Sequence, residues 1–320
     1  MPFLEEIKDA YSRIERHLRR TYLQHSLHYS SKTGADVYFK CEHLQHTGSF
    51  KLRGALNKIL SLSEEELARG VVTASTGNHG AAVAYALAIA GASGSVYVPK
   101  EASESKIANI RRLGAEIEMF GDDSNDSEMK ARQVAGESGA VYVSPYNDPF
   151  VVAGQGTVGL EISEQLPDVD AVFVSVGGGG LISGIAGYLK AFKPDVMMVG
   201  CSPANSKVML ESVKAGKVLE LESLPTLSDG TAGGVDPDSI TFGLCSDLVD
   251  EWVTVSEAEI RESLIEFIDA EHQLIEGSAA VAIASMLKTA ESFRGKNIAV
   301  VLCGGNIGTT AMRSVLGDPL

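Results

Sequence analysis

The sequence predicts an α/β fold of mostly parallel sheets covered by helices, and three observations carry that expectation. Short β-branched runs alternate with longer amphipathic or Ala-rich stretches along most of the chain. Glycine-bearing segments stand at the strand-to-helix junctions, where open α/β sheets bind ligands. The alternation also falls into two βαβ groupings, one over residues 71–146 and one from Asp170 onward, divided by the turn cluster 144–149 with its two prolines. Two domains with a cleft between them follow.

Residues 1–20 carry charges of both signs, through Glu5, Glu6, Lys8, Asp9, Arg13, Glu15 and Arg16, and lack the apolar stretch of a signal peptide. The first strand is expected at 37–41. Leu52, Leu56, Ile59 and Leu60 then form an apolar stripe at helical spacing, with Ser49 as a natural N-cap. The acidic run Glu64-Glu65-Glu66 reads as a solvated helix start, and His25, His28, His43 and His46 as surface residues. Further strands are expected at 71–74, 95–98, 116–120 and 140–143 in the first grouping, and at 171–176, 196–201, 252–255 and 297–302 in the second. There is no internal repeat and no low-complexity tract.

With 27 Lys and Arg against 42 Asp and Glu in 320 residues, the formal charge is −15, which excludes a nucleic-acid binder that works by bulk charge. A hydrophobic fraction of 44% with 22% charged residues describes a folded chain with a substantial core. No apolar run approaches the ~18 residues of a membrane span, the nearest being the shorter Ala-rich stretch 81–92, so no membrane contact is expected. Cys41, Cys201, Cys245 and Cys303 show no CxxC or CxxH spacing, so neither a zinc site nor a disulfide framework is expected, and a reducing cytoplasm is. The 33 glycines exceed the usual ~7% and cluster, which points to close backbone approaches to a ligand.

The strongest cluster is Gly177-Gly178-Gly179-Gly180-Leu181, between a strand and a helical pattern. Side-chain-free residues at a helix N-terminus expose successive N–H groups, which favours a phosphate through donors and dipole together. No Gly-Lys-Ser/Thr follows and the spacing does not fit G-x-G-x-x-G. The next strand ends at Cys201 and Ser202 without the acid that holds an NAD ribose, so a dinucleotide is disfavoured. A second segment, Ser75-Thr76-Gly77-Asn78-His79, opens an Ala-rich helix; a cap at Ser75 or Thr76 explains one of these polar residues, whereas a carboxylate or phosphate on the helix start engages them together. Cys303-Gly304-Gly305-Asn306 is a third strand-end turn. Finally, Lys51 in the segment Ser49-Phe50-Lys51-Leu52-Arg53-Gly54-Ala55 falls in a first helical turn, where the dipole disfavours a cation by ~0.3–1 kcal/mol, so the amine is expected to be neutral or compensated.

Together these segments resemble the fold-type-II pyridoxal-phosphate enzymes, specifically the threonine/serine dehydratase and serine racemase group, over nearly the whole chain. The resemblance implies a tryptophan synthase β-like fold, two open twisted sheets covered by helices, with residues 1–68 and 148–320 as the large cofactor-binding domain and 69–147 as the small one. In that family S-F-K-x-R-G-A carries the lysine that forms an imine with the cofactor, which matches Lys51, with Phe50 beside the ring. The S-x-G-N-H segment matches Ser75, Thr76, Gly77, Asn78 and His79, implying that Asn78 bonds the phenolic oxygen while the loop holds the substrate carboxylate. The glycine loop would cradle the phosphate through Gly177, Gly178, Gly179, Gly180 and Leu181, and Cys303 would face the pyridine nitrogen. Glu276, followed by Gly277, and the run Ala153-Gly154-Gln155-Gly156-Thr157 also resemble dehydratase stretches, placing Glu276 near the cofactor.

An amine held as an imine is not a buried ammonium, and a substrate amine frees it as a neutral base beside Cα, so Lys51 is expected to be both anchor and base. A thiol at Cys303 cannot stabilise a protonated pyridine nitrogen as a carboxylate would, which limits delocalisation into the ring and favours prompt loss of a β-leaving group. The resemblance implies α,β-elimination from a β-hydroxy-α-amino acid, of the threonine, serine, threo-3-hydroxyaspartate or hydroxyectoine-derived kind, to a 2-oxo acid and ammonia. Racemisation ranks lower, because Thr76 stands where serine racemases place a serine on the face opposite the lysine, although a threonine there still offers a catalytic hydroxyl. β-Replacement fits less well, since the lysine motif of cysteine synthases differs, and a non-catalytic ligand-binding protein is the reading from another class. Members with a divalent cation carry two acids where Ser202 and Val208 stand here, so no metal is expected. The chain ends at Leu320, soon after the Cys303 turn, so no C-terminal regulatory domain is expected either. A homodimer is expected from the group.

Overall fold

Ten strands form two sheets in the computed structural model, which describes residues 4–102 and 104–317. The strands are β1 (Leu23–His25), β2 (Asp36–Lys40), β3 (Val71–Ala74), β4 (Gly94–Val98), β5 (Glu116–Met119), β6 (Val141–Tyr142), β7 (Ala171–Ser175), β8 (Met197–Pro203), β9 (Glu251–Val255) and β10 (Asn297–Val301). The larger sheet has the order β1-β2-β10-β7-β8-β9 and the smaller β5-β4-β3-β6. Every pairing is parallel except β1 with β2. All nine strands expected from the sequence are present. The tenth, β1, was not legible, because its three residues Leu-Gln-His form a half-exposed antiparallel edge with no alternation to read.

The parallel arrangement decides where the glycine segments go. Central strands such as β7 are buried along their whole length, since helices cover both faces of the sheet. β2, β10 and β7 are neighbours running the same way, so their C-terminal ends deliver three segments to one edge: the stretch leading to Lys51, the turn at Cys303, and the tetraglycine loop. In the smaller sheet β3, between β4 and β6, delivers Ser75 to Asn78 in the same manner. This is the location that open α/β sheets use for ligands.

Several local readings meet the structure directly. The acidic run starts an exposed helix, Glu64–Ala68, closed by a capping box between Ser63 and Glu66. His25, His28 and His46 are exposed. His43 is not a surface residue: it is 6% exposed, its Nε2 pairs with Gln273 at 2.8 Å, and burial holds its pKa below the usual value. Its segment leaves the sheet edge and turns inward under the Cys303 turn, through a bond from its N–H to the Leu302 carbonyl at 2.9 Å. All four cysteines are free and buried. Among the described residues no helix is long and apolar enough to cross a membrane.

The helix Lys51–Leu60 is anchored by a dry ionic cluster. Arg53, fully buried, donates from Nε and Nη2 to both oxygens of Glu42 at 2.8 Å, and from Nη1 and Nη2 to Glu161 at 2.8 and 2.9 Å. Its Nη1 also reaches Thr157 Oγ1 at 3.1 Å. Lys40, equally buried, pairs with Glu161 at 2.5 Å. Two cations thus face two carboxylates, and the cluster ties β2, the Lys51 helix and the helix Pro149–Gln165 together. The two helices approach so closely that a side chain at Gly154 would strike the backbone of Arg53 and Gly54. Removing one partner of such a cluster leaves an uncompensated buried charge, so Arg53→Met should cost about 3–5 kcal/mol, read from the urea midpoint. A loss below about 1 kcal/mol would show that the cluster does not hold the helix in place.

Candidate active site

Four helices begin at the cleft with no side chain capping their first turn: Lys51–Leu60 after Phe50, Asn78–Ala90 after Gly77, Gly180–Phe192 after Gly179, and Gly277–Lys288 after Glu276. Of the other helices, five are capped, by Ser26, Ser63, Asp123, Asp148 and Ser256, and two, Val208–Ala215 and Ile240–Leu248, also start without a side-chain cap. Uncapped N–H groups carry the positive end of the helix dipole, and several around one volume favour an anion there. Ser49 is not the N-cap expected of it. Phe50 takes that position in a helical conformation, while Ser49 is drawn into a bridge with Gly304 and its buried hydroxyl finds no partner among the described residues.

The segments touch one another. The Phe50 N–H donates to the Cys303 carbonyl at 3.0 Å. Asn78 Nδ2 donates to the two oxygens of Glu276 at 2.9 and 3.1 Å. Asn306 Nδ2 donates to Asn78 Oδ1 at 2.7 Å and to the Thr47 carbonyl at 2.8 Å, and its N–H to Glu276 at 3.1 Å. Lys51 Nζ donates to the Pro145 carbonyl at 2.8 Å and lies 5.1 Å from the centre of the Phe50 ring. Glu276 occupies an N-cap position yet makes no cap bond; its carboxylate, 4% exposed, turns toward Asn78 instead of merely complementing the dipole.

Electrostatics separate the ionisable groups. Burial lowers the Lys51 pKa to about 8, although Cys303 and Glu276 nearby favour the charged form. Burial and the adjacent Glu276 raise the Cys303 thiol well above its usual value, so it stays protonated at neutral pH. His79 is 3% exposed, with Nε2 3.0 Å from the Val143 carbonyl, and burial followed by the Lys51 charge lowers its pKa to about 3. Its ring is therefore neutral and engaged with β-sheet backbone, leaving its main-chain N–H in the first helical turn.

The glycine loop meets protein as well as open space. A side chain at Gly177 would strike Thr231, one at Gly178 would strike Tyr146, and one at Gly180 would press tightly on Tyr146. Gly179 has φ +82°, a left-handed conformation that disfavours any side chain. Leu181 is buried in the core, so only its backbone faces the loop. At the second segment neither Ser75 nor Thr76 caps the helix; Gly77 is the N-cap, and Ser75 Oγ accepts the Gly77 N–H at 3.2 Å. Ser75, Thr76, Gly77 and Asn78 are all half-buried along the cleft.

Pro145, Tyr146 and Asn306 escaped the sequence reading as site residues. The two prolines of the 144–149 cluster marked only a boundary, yet the crossing segment places a carbonyl on Lys51 and an aromatic ring on the glycine loop. An isolated aromatic residue in a polar turn was the available signal. Asn306 was visible only as the end of a Gly-Gly turn.

A family model described as pyridoxal-phosphate dependent enzyme matches residues 14–304. The chain is 42% identical over 317 residues to the L-threonine ammonia-lyase of Thermotoga maritima, covering 99% of this chain and 79% of that protein. It is 37% identical over 316 residues to the catabolic L-threonine dehydratase of Escherichia coli, covering 98% and 96%. The solved structure of maize serine racemase superposes with a TM-score of 0.92 at 32% identity, covering 98% of this chain and 96% of that one.

The lowered Lys51 pKa predicts a reactivity profile. A neutral amine is the nucleophile, so borohydride-trapped labelling of Lys51 by an aldehyde should rise with pH around a midpoint near 8, well below that of exposed lysines near ~10.4. Peptide mapping of the label across pH measures this, and a midpoint at the ordinary lysine value would contradict the burial argument.

Proposed function

The chain belongs to the pyridoxal-phosphate-dependent enzyme family, and from that premise we propose that it is a dehydratase converting a β-hydroxy-α-amino acid to a 2-oxo acid and ammonia. The observation that carries this reading is a buried lysine amine, Lys51, whose pKa falls to about 8 with the Cys303 thiol nearby, in a chain whose tetraglycine helix start carries no side-chain cap. The donor set fits the cofactor. Main-chain N–H groups of Gly177, Gly178, Gly179, Gly180 and Leu181 suit the phosphate, Lys51 the aldehyde, Phe50 the ring face, Asn78 and Glu276 the phenolic edge, and Cys303 the ring nitrogen.

When bound, pyridoxal phosphate supplies the electron sink for a carbanion at Cα. Lys51 Nζ takes the Cα proton, since a pKa near 8 leaves a useful fraction of neutral amine at neutral pH. The helix start at Gly77 and Asn78, with the Ser75 and Thr76 hydroxyls and the His79 N–H, holds the substrate carboxylate. Neutral Cys303 leaves the ring nitrogen without an anionic partner, which suits elimination better than a long-lived carbanion. Residues 69–147 form the small domain that carries the carboxylate site, and the remainder the large one.

An uncharged side chain suits the substrate best, threonine or serine before threo-3-hydroxyaspartate. Arg132, reaching toward the Tyr146 side of the cleft, is already held by Glu128 at 2.7 Å and Asp236 at 3.0 Å, and lies over the Tyr142 ring. A second substrate carboxylate would have to break that arrangement. The chain acts as a homodimer: Tyr22, Leu27 and Leu274 are 71, 80 and 57% exposed, and bonds from Gln24 and Ser26 to Glu271 gather them on one side. Four free buried thiols suit a cytoplasmic setting.

A panel measuring 2-oxo acid release, with a chiral assay beside it, tests the reading. L-Threonine or L-serine should be turned over at least ~10-fold more efficiently than threo-3-hydroxyaspartate, the cost of about 1.4 kcal/mol of mismatch. Dominant hydroxyaspartate turnover would reverse the substrate choice, and no oxo acid from any of them would remove the dehydratase. Lys51→Ala should lower kcat by ~10²–10⁴, as expected for a lost general base, while Thr76→Ala should stay within about tenfold; equal mild effects would take Lys51 out of its role.

A further inference from the structure

Three features of the sequence remain without a purpose: Gly48, Gly304 and Asn306. In the structure all three serve one amide, that of Asn78. Gly48 has φ +74°, and a side chain there would run into the Asn306 amide. A side chain at Gly304 would run into the Glu276 carboxylate. The two glycines therefore leave room for the two groups that grip Asn78.

The grip has a direction. A carboxylate only accepts, so Glu276 draws the Nδ2 end of Asn78, at 2.9 and 3.1 Å. Asn306 Nδ2 only donates, so it draws the Oδ1 end, at 2.7 Å. Asn306 is fixed in turn by the Thr47 carbonyl on the loop before Lys51 and by its N–H to Glu276. The amide cannot flip without placing donor against donor and acceptor against acceptor. The two oxygens of one carboxylate subtend too small an angle to take both hydrogens of Nδ2. Asn78 therefore keeps one N–H that the clamp does not use.

Resting on the pyridoxal-phosphate reading, we propose that Glu276 and Asn306 are positioning residues that clamp Asn78 as an obligate donor, so that the site selects the ionised phenolic oxygen of the cofactor over a protonated one. The clamp also joins the smaller-sheet helix carrying Asn78 to the loop that leads into the Lys51 helix, so the two groups that would meet the cofactor ring are tied together.

Equilibrium binding of two probes to the apoprotein tests the clamp: pyridoxal phosphate, and 3-deoxypyridoxal phosphate, which keeps the aldehyde and phosphate but lacks the phenolic oxygen. The wild type should favour pyridoxal phosphate by roughly tenfold or more, the range for a hydrogen bond to a charged group. In Asn306→Ala, where the replaced residue is exposed and the fold should persist, that ratio should shrink at least about threefold, with the loss falling on pyridoxal phosphate alone. Glu276→Gln should shrink it too, and if that variant does not fold, Asn306→Ala decides. On an Asn78→Ala background the Asn306→Ala change should have no further effect on the ratio. Equal weakening of both probes, or an unchanged ratio, would mean a merely structural role and overturn the clamp. Wild-type protein that binds neither probe at Lys51 would instead overturn the cofactor reading itself.

Discussion

The site depends on one electrostatic constraint: four helices start in segments that pack or hydrogen-bond to one another, and none of the four starts is closed by a side chain. Each such end carries about half a positive charge on unsatisfied N–H groups, and leaving them together without an anion is unfavourable. The chain supplies one anion itself, Glu276, and places it at the only end whose N-cap residue is acidic. Of the remaining three ends, those at Gly180 and Asn78 suit the phosphate of a cofactor and the carboxylate of a substrate, and the third carries Lys51 itself. Parallel strands make most of this geometry, since the helices starting at Lys51, Asn78 and Gly180 come next after β2, β3 and β7 or the short turn beyond them, at the C-terminal edges of the two sheets, whereas the Gly277 helix follows another helix.

Two basic residues one position apart from being neighbours have opposite fates, and the contrast explains how a reactive amine is kept inside a stable core. Arg53 meets two carboxylates and a hydroxyl, so its charge is fully paired and its pKa is raised. Lys51 meets one carbonyl and an aromatic ring, so burial wins and the amine approaches neutrality. The same helix thus carries an anchor that cannot titrate and a base that can. The anchor holds the first turn against β2 and the helix behind it through paired charges.

Much of this was legible beforehand. The order of strand and helix, the identity of the Lys51, Ser75 to His79, tetraglycine and Cys303 segments, and their position at strand ends all follow from local pattern, because a parallel strand must be apolar along its length and a loop approached by other atoms must lack side chains. What was illegible depends on partners far away in the chain. Ser49 reads as a cap, yet its backbone is claimed by Gly304, 255 residues on. His43 reads as a surface residue, yet the strand-end turn folds over it. The glycines of the 177–180 loop read as room for a ligand alone, yet Tyr146 and Thr231 need that room as well.

The sequence by itself determined which side chains stand just past the strand ends, an amine, a thiol and an amide among them, since those are properties of local spacing and side-chain type. The tertiary structure alone decided the state of each group. Burial made Lys51 a weaker base than an ordinary lysine and Cys303 a neutral thiol, and contacts spanning 198 and 228 residues gave the Asn78 amide its orientation. A pKa or an amide's direction is set by whatever surrounds it in space, and no local pattern records which distant side chains will arrive there.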